Sequence, residues 1–210
     1  MRADRPAAPR RPRHPQAVGR QPGNTGSNVN TSARGEREAC YTSLMLRPRL
    51  LVDSLHQVSA ELLRDLGVRG VLVDLDDTLL PSGADTLDAS VAAWLGGLRP
   101  AGFPVAILSN GERERVATLA ARFGCRSLAL SGKPFAPAFR RALRLLGTRP
   151  SETAMIGDQL FTDVLGANMA GLVSILVRPL SPGKLPHTRM LRHLERMILR
   201  GGDRGGPVHR

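Results

Sequence analysis

The apolar positions along the chain alternate between short continuous runs and longer stripes at helical spacing. Val71-Leu72-Val73 is an uninterrupted, β-branched-rich run, the pattern of a strand buried on both faces, and it stops abruptly at Asp74. Val105–Leu108, a short run near Ser127–Leu130, Thr153–Ile156 and Leu172–Val177 read as four more strands. Between them, Thr86–Leu98, Glu112–Phe123, Phe135–Leu146 and about Leu160–Ala170 carry helical apolar patterns, with Pro134 suited to a first turn and Gly147 to a stop. Upstream, Asp53 or Ser54 caps a helix in which Leu55, Val58, Leu62 and Leu66 share one stripe before Gly67. Such alternation predicts an α/β fold: a Rossmann-like, mainly parallel sheet with helices on both faces.

The ends of the chain lack this pattern. Residues 1–40 are rich in Pro, Arg, Gly, Asn and Ser and cannot bury enough apolar surface to offset their chain entropy. The expected plan is a disordered basic tail over 1–44, a folded domain over 45–184, a basic amphipathic helix over 185–200 and a second disordered tail over 201–210. Three readings of the first tail stand side by side: an interaction tail, an Arg-rich organellar transit peptide, or a start codon placed too early, with Met45 as the true start. In the C-terminal segment Met190, Leu191, Leu194, Met197 and Ile198 fall on one helical face and Arg189, Arg192, Arg196 and Arg200 on the other. That face either packs on the sheet or lies on an anionic membrane.

Composition narrows the partners less than it first promises. The formal charge is +12; in residues 1–44 eight Arg against Asp4, Glu36 and Glu38 leave +5, and residues 45–210 hold the other +7. Of the 30 basic residues only Lys133 and Lys184 are lysine, a skew better explained by codon usage than by a binding demand. With 41% hydrophobic but only 3% aromatic residues, the core has to be built from Leu, Val, Ile and Ala. Cys40 and Cys125 are isolated, which points to no disulfide framework and no zinc site. No apolar run is long enough to span a bilayer, so the expected location is the cytoplasm, at most peripheral to a membrane.

The chemistry sits where the strands stop. Asp74, Asp76 and Asp77 crowd the end of the first strand, and in an open α/β sheet that edge is where ligands bind. Clustered carboxylates repel one another unless a cation sits among them, and hard oxygen donors of this kind favour Mg²⁺. Taken singly, an Asp-Asp-Thr turn, a Ser-Asn pair or a lone Lys is an ordinary solvated feature. Together, Asp74-x-Asp76-x-Thr78, Ser109-Asn110, Lys133-Pro134 and Gly157-Asp158 with Asp163 follow four successive strands.

That order resembles the four motifs of the haloacid dehalogenase superfamily. The resemblance implies a phosphatase that forms an aspartyl-phosphate, with Asp74 as nucleophile, Asp76 as acid and base, and Lys133 as the cationic group beside them. It implies phosphate binding by Thr78, Ser109, Asn110 and Lys133, and Mg²⁺ held by Asp74, Asp76, Asp158 and Asp163. The run Gly157–Asn168, the first motif and the segment Ile175–Leu180 more closely resemble the IIIA-type YqeG family, related to phosphatidylglycerophosphate phosphatases. Asp77 and Gly111 depart mildly from it, each standing where that family commonly has Asn. The spans Leu79–Ala106 and Ser109–Lys133 are too short for a cap domain, so the expected site is open, suited to phosphate on a large substrate such as a lipid headgroup. A small soluble or nucleotide ester is the rival substrate. A nucleic-acid or protein binding module on the same fold is the rival of another class, and the intact catalytic set disfavours it.

Overall fold

A computed structural model describes residues 44–181. The expected basic tail, the amphipathic helix over 185–200 and the C-terminal tail lie outside the described residues, apart from Leu44. Six strands form one parallel sheet: β1 (Leu50–Val52), β2 (Gly70–Val73), β3 (Val105–Leu108), β4 (Arg126–Leu128), β5 (Thr153–Gly157) and β6 (Val173–Val177). Their spatial order is β1-β6-β5-β2-β3-β4. From β2 the chain steps outward through β3 to β4, then crosses back to lay β5 on the other flank of β2. The connections leaving β2 and β5 thus diverge, opening the crevice at which such sheets bind ligands.

Helices cover both faces: α1 (Ala60–Asp65), α2 (Ala89–Leu98), α3 (Arg113–Arg122), α4 (Ala136–Leu146) and α5 (Leu165–Met169). The period-two alternation of the strands splits the core accordingly. Val71, Val73, Val105, Ile107 and Ile156 pack with Leu63 of α1, Leu95 of α2 and Leu119 of α3. Leu72, Ala106, Leu108 and Met155 pack on the other side with Phe139 and Ala142 of α4 and Ala167 of α5. The α/β architecture read from the sequence is therefore the one formed. Among the described residues, the span from Leu79 to β3 holds a turn and α2, and the span from Ser109 to Lys133 holds α3 and β4, with no inserted cap.

Two local readings needed correction. The single helix expected over Leu55–Leu66 is broken in two. Ser54 caps only a 3₁₀ turn over Leu55–Gln57, where Gln57 Oε1 reaches back to the Asp53 and Ser54 amides at 2.8 and 3.3 Å. Ser59 then caps α1, whose buried residue is Leu63, not Leu62. The break leaves the Val58 carbonyl free to accept from Trp94 Nε1 at 2.8 Å, which ties α2 to the turn. The strand β1 was not expected: three residues behind Arg47-Pro48-Arg49 give too little pattern, and its pairing with β6 supplies the order.

Candidate active site

Asp74 directly prolongs β2, its amide donating to the Ile156 carbonyl at 2.9 Å. Beyond it the chain turns back on itself: the Leu79 and Leu80 amides return to the Leu75 carbonyl, and Asp77 takes a left-handed φ of 60° that Asp tolerates better than most residues. Asp158 follows β5 on the adjacent strand. Asp163 lies in a wide π-helical turn over Leu160–Val164 that precedes α5, so five residues of separation still bring it back to the sheet edge. Carboxylate oxygens of Asp74, Asp158 and Asp163 all lie within 4.8 Å of one another, and all three residues are buried.

Gly157 makes that approach possible. A Cβ at this position would fall on the Asp163 carboxylate and 2.7 Å from Asp163 Cβ. Gly157→Ala is therefore expected to force Asp163 off the cluster and to cost about 1–3 kcal/mol of stability as overpacking does, read as a lowered Tm.

Lys133 supplies the charge among these acids. Its ammonium, on a side chain only 1% exposed, sits 2.8 Å from Asp74 Oδ1 and 2.7 Å from Asp163 Oδ1. Burial alone would depress the Lys133 pKa, but Asp163 and Asp74 more than offset it and hold the group above its ordinary value. One cation does not balance three buried carboxylates. Burial, then repulsion by Asp163, pushes Asp74 up to about 6 despite Lys133. Burial, then Asp163 and Asp74, pushes Asp158 up to about 7. Oxygen donors that resist ionisation for want of positive charge fit a hard divalent cation, the donor set Mg²⁺ prefers.

Three of the four remaining expected residues, Ser109, Thr78 and Asn110, have distinct hydrogen-bonding roles. Ser109, buried at the end of β3, accepts from the Gly111 amide through Oγ at 3.0 Å, which leaves its hydroxyl proton available to donate. Thr78 donates to Asp158 Oδ1 at 3.3 Å, so its hydroxyl steadies a member of the acidic cluster. Asn110, expected to bind phosphate, has its amide group committed elsewhere. Its Oδ1 accepts from Ser131 Oγ and from the Gly132 and Lys133 amides, and its Nδ2 donates to the Lys133 carbonyl at 3.0 Å. In this arrangement Asn110 clamps the loop that presents Lys133.

Asp76 is not one of the three clustered carboxylates. Arg115 of α3 holds it by a hydrogen bond from Nη1 to Oδ2 at 3.1 Å and an ion pair from Nη2 to Oδ1 at 2.9 Å. The Oδ1 contact lacks hydrogen-bond alignment, so this buried oxygen has no hydrogen-bond partner among the described residues. Arg115 is itself fixed by the Ala84 carbonyl at 2.9 Å and by Asp85 at 3.6 Å. The sequence offered no sign of it. Within Glu112-Arg113-Glu114-Arg115 it reads as one more solvated charge at a helix start.

A parallel sheet with this carboxylate and lysine set at its crevice defines a hydrolase class, and comparison with known proteins agrees. The family model described as haloacid dehalogenase-like hydrolase matches residues 13–171, and the chain belongs to that family. It is 32% identical over 161 residues to "Probable phosphatase YqeG" of Bacillus subtilis (strain 168), covering 77% of this chain and 94% of that protein. It is 30% identical over 176 residues to chloroplastic/mitochondrial phosphatidylglycerophosphate phosphatase 1 of Arabidopsis thaliana, covering 76% of this chain and 49% of that one, about half its length. Among solved structures, an uncharacterized protein from Listeria monocytogenes serotype 4b aligns with a TM-score of 0.46 at 23% identity, covering 57% of this chain and 85% of the other. The chain is a phosphoric monoester hydrolase of this family.

Proposed function

We propose that the protein hydrolyses a phosphate monoester through an aspartyl-phosphate on Asp74, with Mg²⁺ as cofactor, and that its substrate presents the phosphate from a lipid headgroup such as phosphatidylglycerophosphate. The observation that carries this reading is the buried contact of Asp74 with Lys133 at 2.8 Å inside a three-carboxylate cluster. Mg²⁺ would be held by Asp74, Asp158 and the Asp76 backbone carbonyl with Asp163 in support, and when bound it supplies positive charge to the phosphoryl oxygens.

The residues divide the work by charge and position. Lys133 offers Nζ–H donors to a phosphoryl oxygen, easing the approach of an anionic nucleophile to an anionic ester. The Ser109 hydroxyl donates to a second oxygen. Asp74 Oδ attacks phosphorus as the ester oxygen leaves, and Asp76 gives that oxygen its proton. Asp76 then takes a proton from the water that attacks phosphorus, which releases inorganic phosphate and returns Asp74 as a carboxylate. Arg115 keeps Asp76 oriented through both steps.

The open site supports a large substrate, since among the described residues no cap encloses it. No described helix is long and apolar enough to cross a membrane, which accords with a peripheral encounter with lipid. Phosphate release measured with and without Mg²⁺ from phosphatidylglycerophosphate in vesicles, a nucleotide monophosphate and a small aryl phosphate tests the reading. Metal-independent release, or none from any ester, would sink it; preference for the soluble esters would replace the lipid by a small substrate.

Metal binding also has a predictable pH signature. Asp74 and Asp158 have folded-state pKa values raised to about 6 and about 7, so in the metal-free protein their ionisation destabilises the fold as pH rises through those values. Mg²⁺ favours the ionised forms and removes that penalty. Saturating Mg²⁺ should raise Tm markedly at pH 8 and little at pH 5.5, where the carboxyls hold protons; an equal rise at both would count against a carboxylate site.

A further inference from the structure

Among the described residues, six large apolar side chains are well exposed: Leu44, Leu130, Phe135, Phe161, Met169 and Leu180. Scattered singly they would need no explanation. Their distribution is uneven, however. Leu44 and Met169 precede β1 and β6 and so lie toward the amino edge of the parallel sheet, away from the site. The other four follow β4, Lys133, β5 and β6, all at the carboxyl edge. Their exposures are 58% for Leu130, 70% for Phe135, 61% for Phe161 and 42% for Leu180.

All four are tied to the catalytic loops. Phe135 is two residues from Lys133 and Phe161 three from Asp158, which holds their Cα atoms within about 7 and about 11 Å of those positions. The Leu130 amide donates to the Gly111 carbonyl at 3.1 Å, beside Ser109, and the Leu180 amide donates to the Asp77 carbonyl at 2.9 Å, beside Asp76. In sheet order they run from β6 through β5 to β4, on either side of the crevice between β5 and β2. At this edge Asp74, Lys133 and Asp158 are buried, while four large apolar side chains around them are exposed.

We propose that Leu130, Phe135, Phe161 and Leu180 form an apolar rim that enters the surface of an anionic membrane and seats the open site over lipid phosphates. This rests on the phosphatase reading and assigns the residues that would make it a lipid phosphatase. Charge complementarity favours lipid as the occupant. The chain continues from Leu180 into residues 182–210, which carry one Lys and six Arg against Glu195 and Asp203, a charge of +5 beginning at the rim itself. Basic residues interspersed with Met190, Leu191, Leu194, Met197 and Ile198 match a surface that is anionic at the headgroups and apolar below.

The test is co-sedimentation of the full chain with vesicles of phosphatidylcholine alone or mixed equally with phosphatidylglycerol. The full chain should bind the mixed vesicles. Phe135→Ser with Phe161→Ser should weaken that binding about a hundredfold, since each Phe buried in an apolar phase is worth roughly a tenfold factor or more. The same pair should lower cleavage of phosphatidylglycerophosphate in vesicles by a similar factor and leave cleavage of a soluble aryl phosphate unchanged. Leu130→Ser with Leu180→Ser, on separate loops, should act in the same direction. Binding to neither vesicle would overturn the proposal and leave the rim to a protein partner or to residues 185–200. Binding lost with Arg192→Glu and Arg196→Glu but unaffected by either rim pair would also overturn it, assigning attachment to the tail. Vesicle binding that depends on the rim in a chain that cleaves no ester would uphold the rim and refute the phosphatase reading, so the two fail separately.

Discussion

Asp74→Asn should leave a folded protein with turnover down by at least about 10⁴-fold, the scale on which removal of a covalent nucleophile is felt. An amide of the same shape cannot accept a phosphoryl group in a hydrolysable anhydride. Its oxygen can still accept from Lys133 Nζ, which in addition keeps Asp163 at 2.7 Å. Stability should move the opposite way from activity. With the Asp74 pKa raised from 3.8 to about 6 by burial and then by Asp163, the folded state is stabilised by protonation of this group and destabilised by its charge as pH rises through that value. A neutral side chain removes that cost, so at pH 8 without Mg²⁺ the variant should melt at or a few degrees above the parent.

Because the same substitution also removes one of the three carboxylates that could hold a metal, loss of rate alone does not establish a covalent step. The parent chain, quenched in acid during turnover, should carry one phosphoryl group on the peptide containing Asp74, released by hydroxylamine. A labelled peptide elsewhere, or retained turnover in the variant, would remove the covalent route; a collapsed Tm would make Asp74 a structural group.

How far the sequence displayed this site depends on the range of the interactions involved. The four longer strands and the order of the four motifs were legible because each is encoded locally: a buried strand must be apolar on both faces, and a site at the carboxyl edge must show its polar residues where that run stops; the three-residue β4 was placed only approximately, near Ser127–Leu130. Asp163 was legible as a partner of Asp158 for the same reason, but not the means of its return. That depends on the π-helical turn and on Gly157, whose missing Cβ makes room for the carboxylate. Strand β1 was hidden because three residues carry no usable period and gain their order from β6, more than a hundred residues away. Arg115 was hidden because its meaning lies in Asp76, on another element, while its own neighbours describe a solvated helix start. Asn110 was correctly placed at a strand end, yet its amide serves the loop that carries Lys133.

Lys133→Met should produce the largest loss of stability of any single substitution at this site. The ammonium is the positive charge directly bonded to a cluster of three buried carboxylates, in contact with Asp74 and Asp163. Removing one partner from a buried ionic group costs about 3–5 kcal/mol, because the charges left behind keep their desolvation penalty and lose their compensation. For a chain of this length that corresponds to a fall in Tm of about 6–20 °C, a large part of ordinary domain stability. The deficit should depend on pH with a definite sign. Without Lys133 the Asp74 carboxyl loses the charge that pulls its pKa down, so that pKa rises further above its unfolded value, and stability is retained where the group is protonated and lost as pH climbs through the folded-state value. The variant should therefore approach the parent below about pH 5 and fall furthest behind at pH 8, and Mg²⁺ should recover part of the difference at pH 8. Turnover should drop by at least about 10²-fold even with saturating metal, since the phosphoryl oxygens lose a fixed cationic donor. A parental Tm at pH 8 would mean that the carboxylates do not need this lysine. Asp74→Asn and Lys133→Met remove opposite ends of one 2.8 Å contact, and an excess of buried negative charge requires that at pH 8 the second lower Tm while the first leaves it unchanged or raises it.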